Sequence, residues 1–208
     1  MLVALRAFQI ARLEETYRDL ETHATLAPLG RFFIHELYGR TEAPGREDTV
    51  RRVYKAIEDR LGEKAIAGLK RLLRLYRITH EMDLQVVALL EPRLAGAPIT
   101  TAPYEAAYRD ADAYALRTEQ IELIAEAVRG VHKLARAPGV GKALSAFSWI
   151  AGAFSAKPLL EFLKRGWEAF HAVEDVEPFV ALIVERETTR LDRIYGRASD
   201  PSVLKSQA

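Results

Sequence analysis

The residues best suited to do chemistry are few: His35, His80, Asp83, Arg117, Gln120, His171 and Glu187. The motifs they suggest break down at specific positions. Gly139-Val140-Gly141-Lys142 has the look of a phosphate loop. The full spacing needs a glycine where Arg136 stands, a Ser or Thr where Ala143 stands, and a strand before it. His35-Glu36 opens a zinc-protease helix pattern, but its second histidine position holds Gly39. Glu168-Ala169-Phe170-His171 is one Glu-x-x-His pair, whereas a di-iron bundle needs two with two more carboxylates. His80 is the best-placed axial ligand for a haem, yet a helical histidine is more commonly a satisfied core or surface group. These patterns predict no metal and no cofactor. With no Cys, thiol catalysis, disulfides and thiolate metal sites are excluded.

A different signal comes from polar residues on apolar stripes. Stepping back by four from Ile121 along Ile121, Ile124, Val128, Val131 and Ala135 lands on Arg117, with Tyr114 one turn earlier. Stepping forward from Tyr76 lands on His80, Asp83, Leu84 and Val87. Val180, Ile183, Leu191 and Ile194 bracket Glu187. A buried charge is expensive unless paired and hydrogen-bonded. The expectation is therefore that these groups meet, with Arg117 forking onto Asp83 or Glu187 and Gln120 completing the network. Read as structure, the cluster fixes helix register; read as function, it floors a small-ligand pocket. On this reading Arg117→Ala strands a buried carboxylate and costs on the order of 3–5 kcal/mol.

The elements that would position these groups are helical. Ile10, Leu13, Tyr17, Leu20 and Ala24 recur at gaps of three and four, one face of a helix ended by Pro28 and Gly30. Arg31–Tyr38 reads as a short aromatic helix closed by Gly39, residues 40–46 as a loop, and the next helix as starting at Glu47-Asp48 and running to Leu61. A fourth helix starts near Glu63, with Ala65, Leu69, Leu72, Leu73 and Tyr76 on one side, and continues to about Leu94. A connector over 95–103 precedes a long helix over 103–136, then a small-residue helix over 140–155. Pro158 and Pro178 suit the first turns of the last two helices, and Gly166 suits close approach of a neighbour. There is no alternating strand pattern, internal repeat or low-complexity tract. The prediction is an all-α, single-domain helical bundle of seven or eight helices over residues 1–197, with a frayed tail over 198–208.

Composition limits the function classes. The 208 residues carry 30 Lys+Arg against 29 Asp+Glu, a net charge of +1. Nucleic-acid affinity scales with phosphates neutralised, so a near-neutral chain ranks that partner last. Charge is nonetheless segregated: residues 51–77 hold nine Lys/Arg and three Asp/Glu, and residues 81–126 the reverse. Those surfaces are solvated, or they pair within the chain or across a homo-oligomer. The longest uncharged run, 143–156, is 14 residues and too short for a spanning helix of about 20. It reads as core or as a surface-binding helix. The first residues lack the pattern of a signal peptide, which points to a cytoplasmic protein.

Phe32-Phe33-Ile34-His35-Glu36-Leu37-Tyr38-Gly39 resembles the signature of a bacterial family of uncharacterised helical proteins with an FFLEELY motif. It departs from that signature at Ile34 and His35, where the family usually has Leu and an acidic residue. His80-Glu81-Met82-Asp83, Tyr104–Arg109, Arg117 with Gln120, Phe162–Phe170 and Arg186-Glu187 also resemble the family, in its order. The resemblance implies that Asp83, Arg117, Gln120 and Glu187 belong to a shared pattern and that His171 does not. It implies no activity. The aromatic motif (Phe32, Phe33, Leu37 and Tyr38) reads as a plug sealing one end of the bundle, each buried ring contributing about 2 kcal/mol. The alternative is an exposed docking patch. The sequence thus predicts a non-enzymatic protein working by association, as a homo-oligomer or adaptor. The alternative is a bundle that binds a small apolar molecule or lipid in a pocket near Arg117. An enzyme using His80 with Asp83 or Glu187 as acid and base is the third reading.

Overall fold

The computed structural model describes residues 1–38, 63–142 and 157–197. Seven α-helices are present among them, with no strand: α1 (Leu2–Tyr17), α2 (Ala27–Arg31), α3 (Glu63–Leu94), α4 (Thr101–Asp110), α5 (Tyr114–Ala135), α6 (Lys157–His171) and α7 (Glu177–Tyr195). A 3-10 turn, Arg18–Thr22, follows α1, and a π-helical stretch, Phe32–Tyr38, continues α2. The loop at 40–46, the helix to Leu61, the small-residue segment 143–156, the tail 198–208 and the side chains of Leu37 and Tyr38 lie outside the described residues.

The all-helical class is as the periodicity predicts, and α3 has the expected bounds. Its phase differs. Leu72, Tyr76 and Leu84 are exposed, and the buried stripe is Ile78, Met82, Val86, Leu90 and Leu94. Strict i, i+4 spacing of β-branched or long apolar residues outweighs the leucine-rich first half, because it presents the more continuous ridge. Pro92 lies in the last turn of α3, and Ala95 and Gly96 then take positive φ (48° and 90°), which ends it.

The long helix expected over 103–136 is two helices. Asp112 adopts φ 47°, a conformation that Asp tolerates better than most side chains, and the chain breaks between α4 and α5. A tyrosine from α7 holds the break. The Ala113 N–H donates to the Tyr195 hydroxyl at 3.1 Å, and that hydroxyl donates to the Tyr108 carbonyl at 3.1 Å. The far end of α7 closes with Gly196 at φ 64°. Arg197 N–H donates to the Asp192 carbonyl and Gly196 N–H to the Arg193 carbonyl, the paired bonds of a Schellman end.

Two compact units divide the described chain. Among the described residues the first contains 1–8, 63–127 and 180–197. Its core joins Leu5, Val86, Leu90, Leu94, Tyr104 and Ala107, with a second cluster of Ile78, Met82 and Ala113. Part of its segregated charge pairs internally. Arg74 of α3 donates two bonds to Glu119 of α5 (2.7 and 2.8 Å), and Arg71 meets Glu126 at 3.1 Å.

Among the described residues the second unit contains 9–38, 128–142 and 157–179. Its core is aromatic. Phe32 meets Phe162 and Phe170 at 5.4 and 6.2 Å, and Phe33 meets Phe179 at 4.8 Å. Such tilted and edge contacts stabilise beyond area burial, by about 0.5–1.5 kcal/mol per pair. Gly166 of α6 lets Phe32 approach: a β-carbon there would stand 3.0 Å from the ring. At Gly30 a β-carbon would stand 2.7 Å from the Leu20 backbone, so α2 crosses the 3-10 turn at a distance only glycine permits.

Candidate functional site

Arg117 is buried, with 4% of its surface exposed. It occupies the α5 face that carries Ala113, Ile121, Ala125 and Val128, so the step back from Ile121 finds a core position. Its guanidinium lies over the Tyr108 ring, 4.2 Å from the centroid, and Nη1 donates to Gln120 Oε1 at 3.4 Å. Gln120 is held in turn by donating from Nε2 to Thr79 Oγ1 at 2.7 Å. Nε and Nη2 of Arg117 are sealed from solvent and make no hydrogen bond.

Asp83 is also buried, 2% exposed, but its cation is a different arginine. Arg6 of α1 approaches Asp83 Oδ2 from Nε at 3.4 Å and reaches His80 Nδ1 from Nη2 at 3.1 Å. His80 therefore presents its unprotonated Nδ1 to a guanidinium, which fits a hydrogen-bonded structural histidine. Glu187 is half-buried and has partners of its own. The expected fork of Arg117 onto Asp83 or Glu187 does not form. Nη1 is directed along α5 to Gln120, and the other edge of the guanidinium is unbonded. The sequence missed Arg6 because it lies before the first clear apolar stripe.

Two further polar groups escaped the stripe analysis. Asp192, 8% exposed, accepts from the Tyr114 hydroxyl at 2.6 Å. That bond, together with burial, holds the Tyr114 hydroxyl above its ordinary pKa. Glu105 of α4 takes both ends of the Arg193 fork (3.0 and 2.6 Å) and stands 3.3 Å from Arg190. The hydrogen bonds from Arg193 hold its carboxyl below the ordinary range against the opposing effect of burial. Asp192 and Glu105 sit one residue off the faces they join, so a fixed 3.6-residue step passes over them.

In the second unit a cleft of about 340 Å³ opens where α2, the π-helical stretch and α6 meet. Phe32 and Ala169 form its apolar part, and Arg31, His35, Glu36, Arg165 and Glu168 its polar part. The wider π turn puts residues four to five apart on one side, so Phe32 and Glu36 line the same wall. Glu36 Oε1 is 3.0 Å from Arg165 Nε, but the N–H is not aimed at it, and Arg165 Nε and Nη2 make no hydrogen bond. His35 Nε2 lies 2.9 Å from Glu21 Oε1. Arg31 donates from Nη1 to the Glu21 carbonyl at 3.1 Å and pairs with no carboxylate among the described residues.

Elsewhere in this unit, His171 stacks on Trp167 (4.9 Å), and its Nδ1 contacts the Ala135 carbonyl at 3.2 Å. It is thus engaged as a structural group. Of the aromatic motif, Phe32 and Phe33 are buried at 8% and 7%, as a plug requires. Among the described residues no group of three or more His, Asp or Glu side chains is arranged to hold a metal, and no helix is long and apolar enough to cross a membrane.

A family model described as a domain of unknown function (DUF8198) matches residues 1–201. No curated protein and no solved structure matches the chain.

Proposed function

The chain belongs to the DUF8198 family, and we propose that it works by binding a small amphipathic anion in the cleft beside the π-helical stretch. The observation that carries this reading is the pairing of an apolar floor, Phe32 and Ala169, with the Arg165 guanidinium, two of whose buried nitrogens make no hydrogen bond among the described residues, and with an exposed Arg31 at the rim. A mostly apolar concavity with a few convergent polar groups is the usual form of a small-molecule site. Among the described residues the Arg31 side chain has only a backbone oxygen as partner, and the Arg165 fork is misaligned on Glu36. A carboxylate or phosphate monoester satisfies such forks in two parallel bonds. An attached hydrocarbon chain of moderate length would cover Phe32 and Ala169. Glu168 is exposed and leaves the mouth accessible to water and counterions.

Part of the segregated charge that suggests association pairs inside the first unit, in Arg74–Glu119 and Arg71–Glu126, and supports a partner less for that reason.

Isothermal titration of the full chain with octanoate, octyl phosphate, octanol and octylamine tests the proposal. The two anions are expected to bind one per chain, and the alcohol and amine at least tenfold more weakly. Arg31→Gln with Arg165→Gln should lower anion affinity at least tenfold. Equal binding of octanol, or an unchanged double variant, would overturn it.

A further inference from the structure

The first unit contains a second, independent feature that calls for a ligand. Arg117 is more than nine-tenths buried, and its Nε and Nη2 have no acceptor among the described residues. These two nitrogens form one edge of the guanidinium plane. Their N–H bonds are parallel, the geometry that takes a carboxylate side-on in two bonds. The remaining surroundings are already committed. Nη1 points to Gln120, Gln120 is fixed by Thr79, and one face of the plane is covered by Tyr108. The cation is therefore held in one orientation by neutral groups, and no acid among the described residues pairs with it. The nearest buried acid in sequence pattern, Asp83, is engaged by Arg6.

A guanidinium cannot relieve this by losing its proton, since its pKa is too high. Two buried donors without acceptors are the arrangement that folded proteins most consistently avoid. We infer that the Nε/Nη2 edge of Arg117 is the docking edge for the carboxylate of a small organic acid, distinct from the anion proposed for the cleft. The charge count favours a monoanion: one guanidinium neutralises one negative charge, and Gln120, Thr79 and Tyr108 add none. A phosphate dianion would leave a buried charge unbalanced. The edge is closed to solvent, so the ligand enters when neighbouring side chains open, and binding should be slow relative to diffusion.

The test reads the Arg117 Nε–H directly in the full chain labelled with nitrogen-15 arginine, in a carboxylate-free buffer. Acetate, propionate, benzoate and inorganic phosphate are added separately at constant ionic strength, at a pH where phosphate is the dianion. The proposal expects a carboxylate to shift the Arg117 Nε–H signal downfield and slow its exchange with water at least tenfold, and phosphate to do neither. Arg31→Gln should leave this response intact, which separates it from the cleft. Arg117→Lys, which keeps the charge and loses the fork, should abolish the gain in thermal midpoint that carboxylates give the native chain. If the Arg117→Lys variant does not fold, the nitrogen-15 signal of the native chain alone decides. A signal unmoved by all three carboxylates, an equal response to phosphate, or slow exchange before any addition (an internal water as the acceptor) would each overturn the inference.

Discussion

Replacing Arg117 by Met removes the charge while keeping most of the side-chain volume, and its effect on stability can be worked from the contacts. The losses are a cation–π contact with Tyr108 at 4.2 Å, about 2 kcal/mol when desolvated, and a long bond to Gln120, about 0.5 kcal/mol. The gain is the removal of two buried donors without acceptors, about 1–3 kcal/mol each. The balance lies between a loss of about 0.5 kcal/mol and a stabilisation of about 3.5 kcal/mol in the absence of ligand. Replacing buried ionic groups by apolar ones of similar size is neutral or stabilising elsewhere for the same reason. This differs in sign from the loss of about 3–5 kcal/mol that holds if Arg117 neutralises a buried acid. Urea unfolding in a carboxylate-free buffer, with the m value compared between variants, measures it. A loss greater than about 2 kcal/mol at unchanged m would refute the reasoning, because it would mean that the charge has a partner.

Tyr195→Phe should cost about 1–3 kcal/mol, since it leaves the Ala113 N–H and the Tyr108 carbonyl unpaired; amide exchange at Ala113 should quicken first. In the second unit, Gly166→Ala should cost about 1–3 kcal/mol by pressing on the Phe32 ring, whereas Gly130→Ala, with nothing within 4 Å, should stabilise by up to about 1 kcal/mol. Thermal midpoints of the two variants measured together check that contrast. Glu105 has a folded-state pKa below its unfolded value, so its contribution is full at neutral pH and is lost as the pH falls through the folded value. Glu105→Gln should therefore destabilise near pH 7, by about 0.5–1 kcal/mol for such a partly exposed pair. The difference from the native chain should vanish in strong acid, as read by denaturation at a series of pH values.

Where hydrophobic period was long and regular, the sequence was a good guide. The bounds of α3 follow from its length and from Gly96 and Pro98, and the burial of Arg117 follows from a four-residue step along α5. Phase within α3 was harder to read, because leucines populate two faces and only packing selects the stripe: Ile78 and Met82 against Ala113 and α5, and Val86 against α1 and α4. The break at Asp112 was invisible, since no Gly or Pro marks it and the Tyr195 hydroxyl that stabilises it lies 82 residues away. The same limit hid the identity of the Asp83 partner: Arg6 is 77 residues distant. The π-helical stretch Phe32–Tyr38 seats Phe32 against Gly166, more than 130 residues away, a contact that no local pattern encodes.

A crystal structure of the full chain grown with 8-bromooctanoate would test the binding reading most directly. The expected result is an anomalous bromine peak against Phe32 and Ala169, with the carboxylate within hydrogen-bond distance of Arg31 or Arg165. An empty cleft at saturating ligand, or bromine found only at scattered surface positions, would contradict it.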